Sequence, residues 1–197
     1  LAAEQGDEIS QLALGMLYVS EDGWGVPQNY QLALKWFRLA TIQGCPRARF
    51  WLGHMHENGL GVRQSYEAAF KFYKTSAEHG DEHGQVSLGL LYCDGLGVHQ
   101  DEETAREWFR LAAEQGDPNG QFFLGMMYCR GLGFSESSSN NVFRLRYLPY
   151  TYMWLSHAAS QGDERADIVR GFVEEDMSPS RIQKAKELVE EYVNSTH

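Results

Sequence analysis

Apolar residues recur along this chain at helical spacing. Ala33, Trp36, Phe37 and Ala40 stand at i, i+3, i+4 and i+7, and the set returns as Ala69, Phe72, Tyr73 and Ser76, then as Ala105, Trp108, Phe109 and Ala112. Residues so spaced share one face of an α-helix. Small residues at the ends of each set let a neighbouring backbone come close, and large aromatics in the middle fill the space between. One such helix cannot cover its own apolar stripe, so the pattern predicts stacked neighbours.

The stacking unit shows in three sets of markers. Leu1-Ala2-Ala3-Glu4-Gln5-Gly6 returns verbatim at Leu111 to Gly116, with variants ending at Gly44, Gly80 and Gly162. The terminal glycines are spaced by 38, 36, 36 and 46 residues. Leu-Gly pairs keep step at Leu14-Gly15, Leu52-Gly53, Leu88-Gly89 and Leu124-Gly125, and so does Gly-x-Gly at Gly23/Gly25, Gly59/Gly61, Gly95/Gly97 and Gly131/Gly133. A fixed period in this range marks a stacked repeat architecture. Each repeat predicts two helices. Asp7, Asp81, Asp117 and Asp163 follow the closing glycine and suit the N-cap of a first helix, and Pro118 suits its first position. Cys45 breaks the pattern, although Pro46 keeps the helix start. The second helices begin near Asn29, Ser65 and Asp101, whose side chains can also cap.

These residues resemble the Sel-one-like repeat family, a relative of the tetratricopeptide repeats. The second repeat carries the pattern through Ala48, Leu52, Gly53, Gly59, Gly61, Val62, Ala69, Phe72, Tyr73 and Gly80, with His56 where the sister repeats have Tyr18, Tyr92 and Tyr128. The resemblance implies an all-α fold, a right-handed α/α superhelix of about four to five helix-hairpin repeats with a C-terminal capping helix. It implies a scaffold for protein or peptide partners. The expected organisation is one solenoid domain over 1–197: the tail of a preceding helix at 1–6, repeats at 7–44, 45–80, 81–116 and 117–162, and a half repeat plus cap at 163–197. The cap is the helix opened by Ser178-Pro179, apolar at Ile182, Ala185, Leu188, Val189 and Tyr192 and charged on its other face. A polar outer face of this kind closes a solenoid end. Residues 152–193 also look like the tail of bacterial members of the family.

Two repeats depart from the period. The first carries two extra residues within 19–25, and the fourth carries ten between Gly133 and Thr151. The serine and asparagine run at 135–141 predicts a surface loop. A second reading of 134–148 is a protruding binding arm, with Arg144 and Arg146 directed at acidic groups.

Composition narrows the chemistry. A net charge of -10 lacks the basic footprint that phosphate neutralisation requires, which argues against a nucleic-acid partner. No run of 18 uncharged apolar residues occurs, so no membrane span is expected. Cys45, Cys93 and Cys129 form no Cys-x-x-Cys pair and read as small apolar residues rather than a disulfide framework. The chain opens without Met, so the compartment, cytoplasmic or periplasmic and secreted, stays open. Ser-x-x-Lys and His-Glu-x-x-His are absent. His79 and His83 have i, i+4 spacing, but Gly80-Asp81 interrupts the helix between them. Gly-x-Gly never extends to Gly-x-Gly-x-x-Gly after a strand, which disfavours a nucleotide site. No catalytic residue, metal site or cofactor is therefore expected. A cell-wall or β-lactam hydrolase, the activity described for cysteine-rich relatives, and a weak homo-oligomeric structural element are the rival readings.

Comparison of the repeats locates a candidate partner surface. The residue before Leu-Gly varies (Ala13, Trp51, Ser87, Phe123), as does the residue after it (Met16, His54, Leu90, Met126). One turn earlier stand Ile9, Arg47, His83 and Asn119. These rows share one helix face, and the family resemblance puts first helices on the concave side. Trp51, Ser87, Leu90, Phe123 and Met126, with Arg47, His54, His83 and Asn119, are thus the expected groove. Trp51→Ala is expected to weaken binding with little loss of stability, the opposite result being the mark of a core residue.

Overall fold

The structure is a computed structural model and describes residues 2–21, 25–134 and 141–195, with side chains throughout except at 141–145 and 193–195. Among the described residues every regular element is an α-helix: α1 Glu8–Val19, α2 Tyr30–Ile42, α3 Pro46–Asn58, α4 Tyr66–Glu78, α5 Glu82–Asp94, α6 Glu102–Glu114, α7 Pro118–Arg130, α8 Asn141–Ser160, α9 Glu164–Glu175 and α10 Pro179–Ser195. The chain forms two compact units, Leu1–Gln100 and Asp101–His197.

The capping residues sit where the repeat places them. Asp7, Asp81, Asp117 and Asp163 accept backbone N–H groups of the first turns of α1, α5, α7 and α9, and Asn29, Ser65 and Asp101 do so for α2, α4 and α6. Each satisfies donors that the helix itself leaves unpaired. Cys45 makes no such bond, and α3 starts on Pro46 alone. At the other end Gly59, Gly95 and Gly131 terminate α3, α5 and α7 in the left-handed conformation that glycine adopts without strain.

In the first unit the hairpins α1–α2 and α3–α4 pack in chain order, α2 lies on α3, and α4 lies on α5. Ala33, Phe37 and Ala40 are completely buried, as are Ala69, Tyr73 and Ser76. The Leu-Gly glycine has a specific reason. A Cβ on Gly53 would lie 2.6 Å from the Tyr73 ring, and one on Gly15 would overlap Phe37. The glycine is the seat for the aromatic ring of its partner helix. Small residues do the same between repeats, where a Cβ on Gly84 would meet Ser76 Oγ at 2.7 Å.

In the second unit α6 lies on α7, α7 on α8, and α8 carries both α9 and α10. A Cβ on Gly120 would sit 2.7 Å from Ala112 Cβ. Leu155 takes the place of the seated ring, 3.0 Å from a Cβ on Gly125. The inserted stretch differs from the sequence expectation. Residues 135–140 lie outside the described residues, but helix α8 runs from Asn141 with Pro149 inside it. Thr151 is fully buried at the position of Ala33 and Ala69, so Pro149 aligns with the first turn of the sister helices, but here it lies inside α8, where it offers no N–H to the preceding turn. The insertion extends that helix backwards instead of forming a loop up to residue 148.

The last hairpin is altered. In α9 arginine replaces the leucine of the Leu-Gly pair, and Arg170 pairs with Asp167 at 2.5 Å. Helix α10 rests on α8, with Ala185 fully buried, Ile182 and Val189 at the core edge, and the Tyr192 ring 5.0 Å from Trp154 and 4.8 Å from His157. The apolar stripe expected of the cap is thus the face that packs.

Candidate partner-binding surface

The first helices hold two kinds of position. Ala48, Leu52, Gly53 and Met55 of α3 are buried, and their counterparts recur with little change. The three variable rows lie beside them. On α1 they are open: Ile9 is 72% exposed and Met16 43%, and Ala13 is exposed as well. On α3 and α5 they are half-buried, because aromatic side chains there lean on one another.

The first unit gathers Arg47, Trp51 and His54 of α3 and His83, Ser87 and Leu90 of α5 on adjoining helices. Phe50 is the hub. Its ring meets Trp51 at 5.5 Å, His83 edge-on at 5.5 Å, Tyr73 at 5.7 Å and His54 at 6.2 Å. The Trp51 indole stacks on Phe37 of the preceding repeat, with centroids 5.7 Å apart and planes within 4°. Its ring also meets His54 at 5.4 Å. Arg47 donates to Asp81, the cap of α5, and to Glu82 at 2.5 Å. It thereby straps the start of one repeat to the next. Burial works against the Glu82 charge, but a backbone bond and Arg47 outweigh it and hold that carboxyl below its usual range. The hydroxyl of the buried Tyr73 donates to Glu57 at 2.6 Å.

Burial lowers the pKa of His54, against a weaker opposing pull from Glu57. His54 Nδ1 and Trp51 Nε1 are buried with no hydrogen-bond partner among the described residues. This corner of α3 is consequently aromatic and neutral, edged by the Arg47–Asp81–Glu82 cluster.

The second unit carries Asn119, Phe123 and Met126 on α7. Asn119 is exposed and accepts from Arg165 Nη2 at 2.8 Å. Phe123 is half-buried and stacks on Phe109 at 5.2 Å, repeating the Trp51–Phe37 arrangement. Arg165 lies 4.4 Å over Phe122 and 5.9 Å over Phe123. Arg146 is exposed on helix α8, not on a loop, and the side chain of Arg144 lies outside the described residues.

Sequence comparison missed two features. Phe50 and Phe122 sit just before the varied positions and organise both clusters; their matching aromatic character was the available signal. The rows also continue into α9 as Arg165, Val169 and Phe172. Gly171 keeps the register, but the lost leucine hides it.

Among the described residues no group of three or more His, Cys, Asp and Glu could hold a metal ion. No helix there is long and apolar enough to cross a membrane. The three cysteines are half-buried and form no disulfide with one another.

Helix hairpins stacked through small residues and seated rings define the all-α helical-repeat solenoid class. The chain belongs to the Sel1 repeat family, which it matches over residues 9–45, 46–81, 83–117 and 118–140. Proteins of this family are generally scaffolds for protein interactions. The crystal structure of c5321, a protective antigen of uropathogenic Escherichia coli strains displaying an SLR fold, is similar with a TM-score of 0.83 and 28% identity. That likeness covers 98% of this chain and 39% of that one, so this chain spans well under half of that protein's length. A Sel1 repeat protein from Oxalobacter formigenes is also 28% identical, with a TM-score of 0.74 over 93% of this chain and 72% of that one. None of the curated protein sequences matches this chain.

Proposed function

We propose that this chain is a non-enzymatic interaction scaffold that binds a peptide or protein partner on the variable face of its first helices. The supporting observation is the division of labour within those helices. Packing positions repeat, while Arg47, Trp51, His54, His83, Ser87 and Leu90 in one unit and Asn119, Phe123 and Met126 in the other differ from repeat to repeat. Aromatic and arginine side chains of this kind carry most of the energy in protein interfaces. Each unit contributes its own share of the rows, and Ile9, Ala13 and Met16 extend them along α1. A net charge of -10 favours partners with a basic or apolar contact surface.

The test is affinity capture with quantitative comparison of wild type and a Met16→Glu/Leu90→Glu variant. Both positions lie on the rows, and neither carries a stacking contact. The expected result is a partner lost from the variant at a temperature where the melting curves show both chains folded. An identical set of captured proteins with both chains would refute the assignment.

A further inference from the structure

Helix α9 presents an apolar strip that no other described residue covers. Ile168 is 62% exposed and Phe172 64%, one turn apart on the same face. Its inward face is a different one, where Ala166 and Val173 are buried in the core. Between the two exposed side chains lies Gly171, whose Cβ position meets no atom within 4 Å. In α1, α3 and α7 the equivalent glycine receives a ring or a leucine from its partner helix. In α9 that seat is open, because α10 rests on α8.

We infer that this strip is a self-association surface, where α9 of one chain packs antiparallel against α9 of a second copy. The strip is self-complementary about a two-fold axis passing near Arg170. In that register Ile168 faces the partner's Phe172, and Phe172 faces the partner's Ile168. Arg165 faces the partner's Glu175 at each end, so the charges match where the apolar contact stops. Arg165 is already oriented by Asp163 and Asn119 through its Nε and Nη2 atoms, and its Nη1 donors take no part in those bonds. Gly171 at the crossing lets the two backbones approach closely. Arg170 pairs with Asp167 away from the strip, so like charges do not meet at the centre. An interface of this kind is isologous, the commonest arrangement of soluble dimers. One helix crossing is small beside a stable interface, and -10 on each copy opposes contact. The dimer is therefore weak and concentration-dependent. Phe172 and Arg165 are also the α9 members of the variable rows, but the test reads the mass of the chain alone and not partner capture, so failure of either reading is distinguishable from failure of the other.

Sedimentation of the full chain over a wide concentration range tests it. The weight-average mass should rise from 22.4 kDa towards twice that value as concentration increases. Ile168→Glu/Phe172→Glu should remain monomeric throughout, with an unchanged melting temperature because both side chains are exposed. Glu175→Arg, which sets arginine against arginine, should weaken association several-fold. A wild-type chain that stays monomeric at every concentration overturns the proposal. So does association that survives the Ile168→Glu/Phe172→Glu change, or one that Glu175→Arg leaves untouched.

Discussion

Gly53 and Tyr73 exclude each other's bulk: a Cβ at residue 53 would stand 2.6 Å from the tyrosine ring. Tyr73 cannot give way, since it is fully buried and its hydroxyl is fixed on Glu57. Gly53→Ala should therefore separate α3 from α4, at a cost of about 2 kcal/mol for overpacking. Gly171→Ala is the matched control. Its Cβ meets nothing, so alanine should raise stability by about 0.5–1 kcal/mol through helix propensity alone. Urea denaturation of the two variants checks the opposite signs.

The caps supply a second pair. Asp117 accepts the Gly120 N–H at 2.7 Å, and Asp117→Ala should cost about 1 kcal/mol. Asp81 caps α5 in the same way but also holds Arg47, so Asp81→Ala should cost more than Asp117→Ala. Cys45 offers α3 no cap, and Cys45→Asp should gain on the order of 0.5 kcal/mol. Melting temperatures should rise in the order Asp81→Ala, Asp117→Ala, wild type, Cys45→Asp.

What was legible in the sequence follows from how local each signal is. Capping aspartates and Gly-x-Gly bends act within one turn, so Asp81 or Gly59 could be placed from the chain alone. The Leu-Gly glycine was visible as a marker, but its cause was not, because Tyr73 lies 20 residues further on. The backward extension of α8 was obscured by Pro149. Proline reads as a break unless the helix register is known, and only the burial of Thr151 fixes that register. Trp51 was expected as an anchor for a partner. The structure adds its stack on Phe37, a contact between successive repeats that spacing within α3 cannot reveal.

Histidine burial sets an acid limit on both units. Burial lowers the pKa of His54, of His56 (with Arg38 adding to the effect) and of His157. The unfolded chain then takes up protons more readily than the folded one. The stability these neutral rings permit is complete above the unfolded value near 6.5 and falls as pH drops below it, until the folded value is passed. His157 Nε2 is buried without a partner among the described residues. His157→Phe keeps the packing on Trp154 and Tyr192, so this variant should lose less melting temperature between about pH 7.5 and about pH 5 than the wild type. Equal losses would mean that another group controls the acid limb.

Trp51 decides how binding and stacking share one side chain. Its indole lies flat on Phe37 and edge-on to Phe50 and His54. Trp51→Ala should thus cost about 2 kcal/mol of stability, less than a fully buried aromatic loses because Trp51 is only half-buried. Trp51→Phe keeps a ring on Phe37 and should cost under about 1 kcal/mol. It also removes the indole N–H, whose buried Nε1 has no partner among the described residues. If Trp51 contributes to recognition, Trp51→Phe should lower partner affinity further than its small stability loss explains. Titration of the captured partner against wild type, Trp51→Phe and Phe123→Leu separates the two roles. An affinity that merely follows the urea midpoint would assign Trp51 to the stack alone.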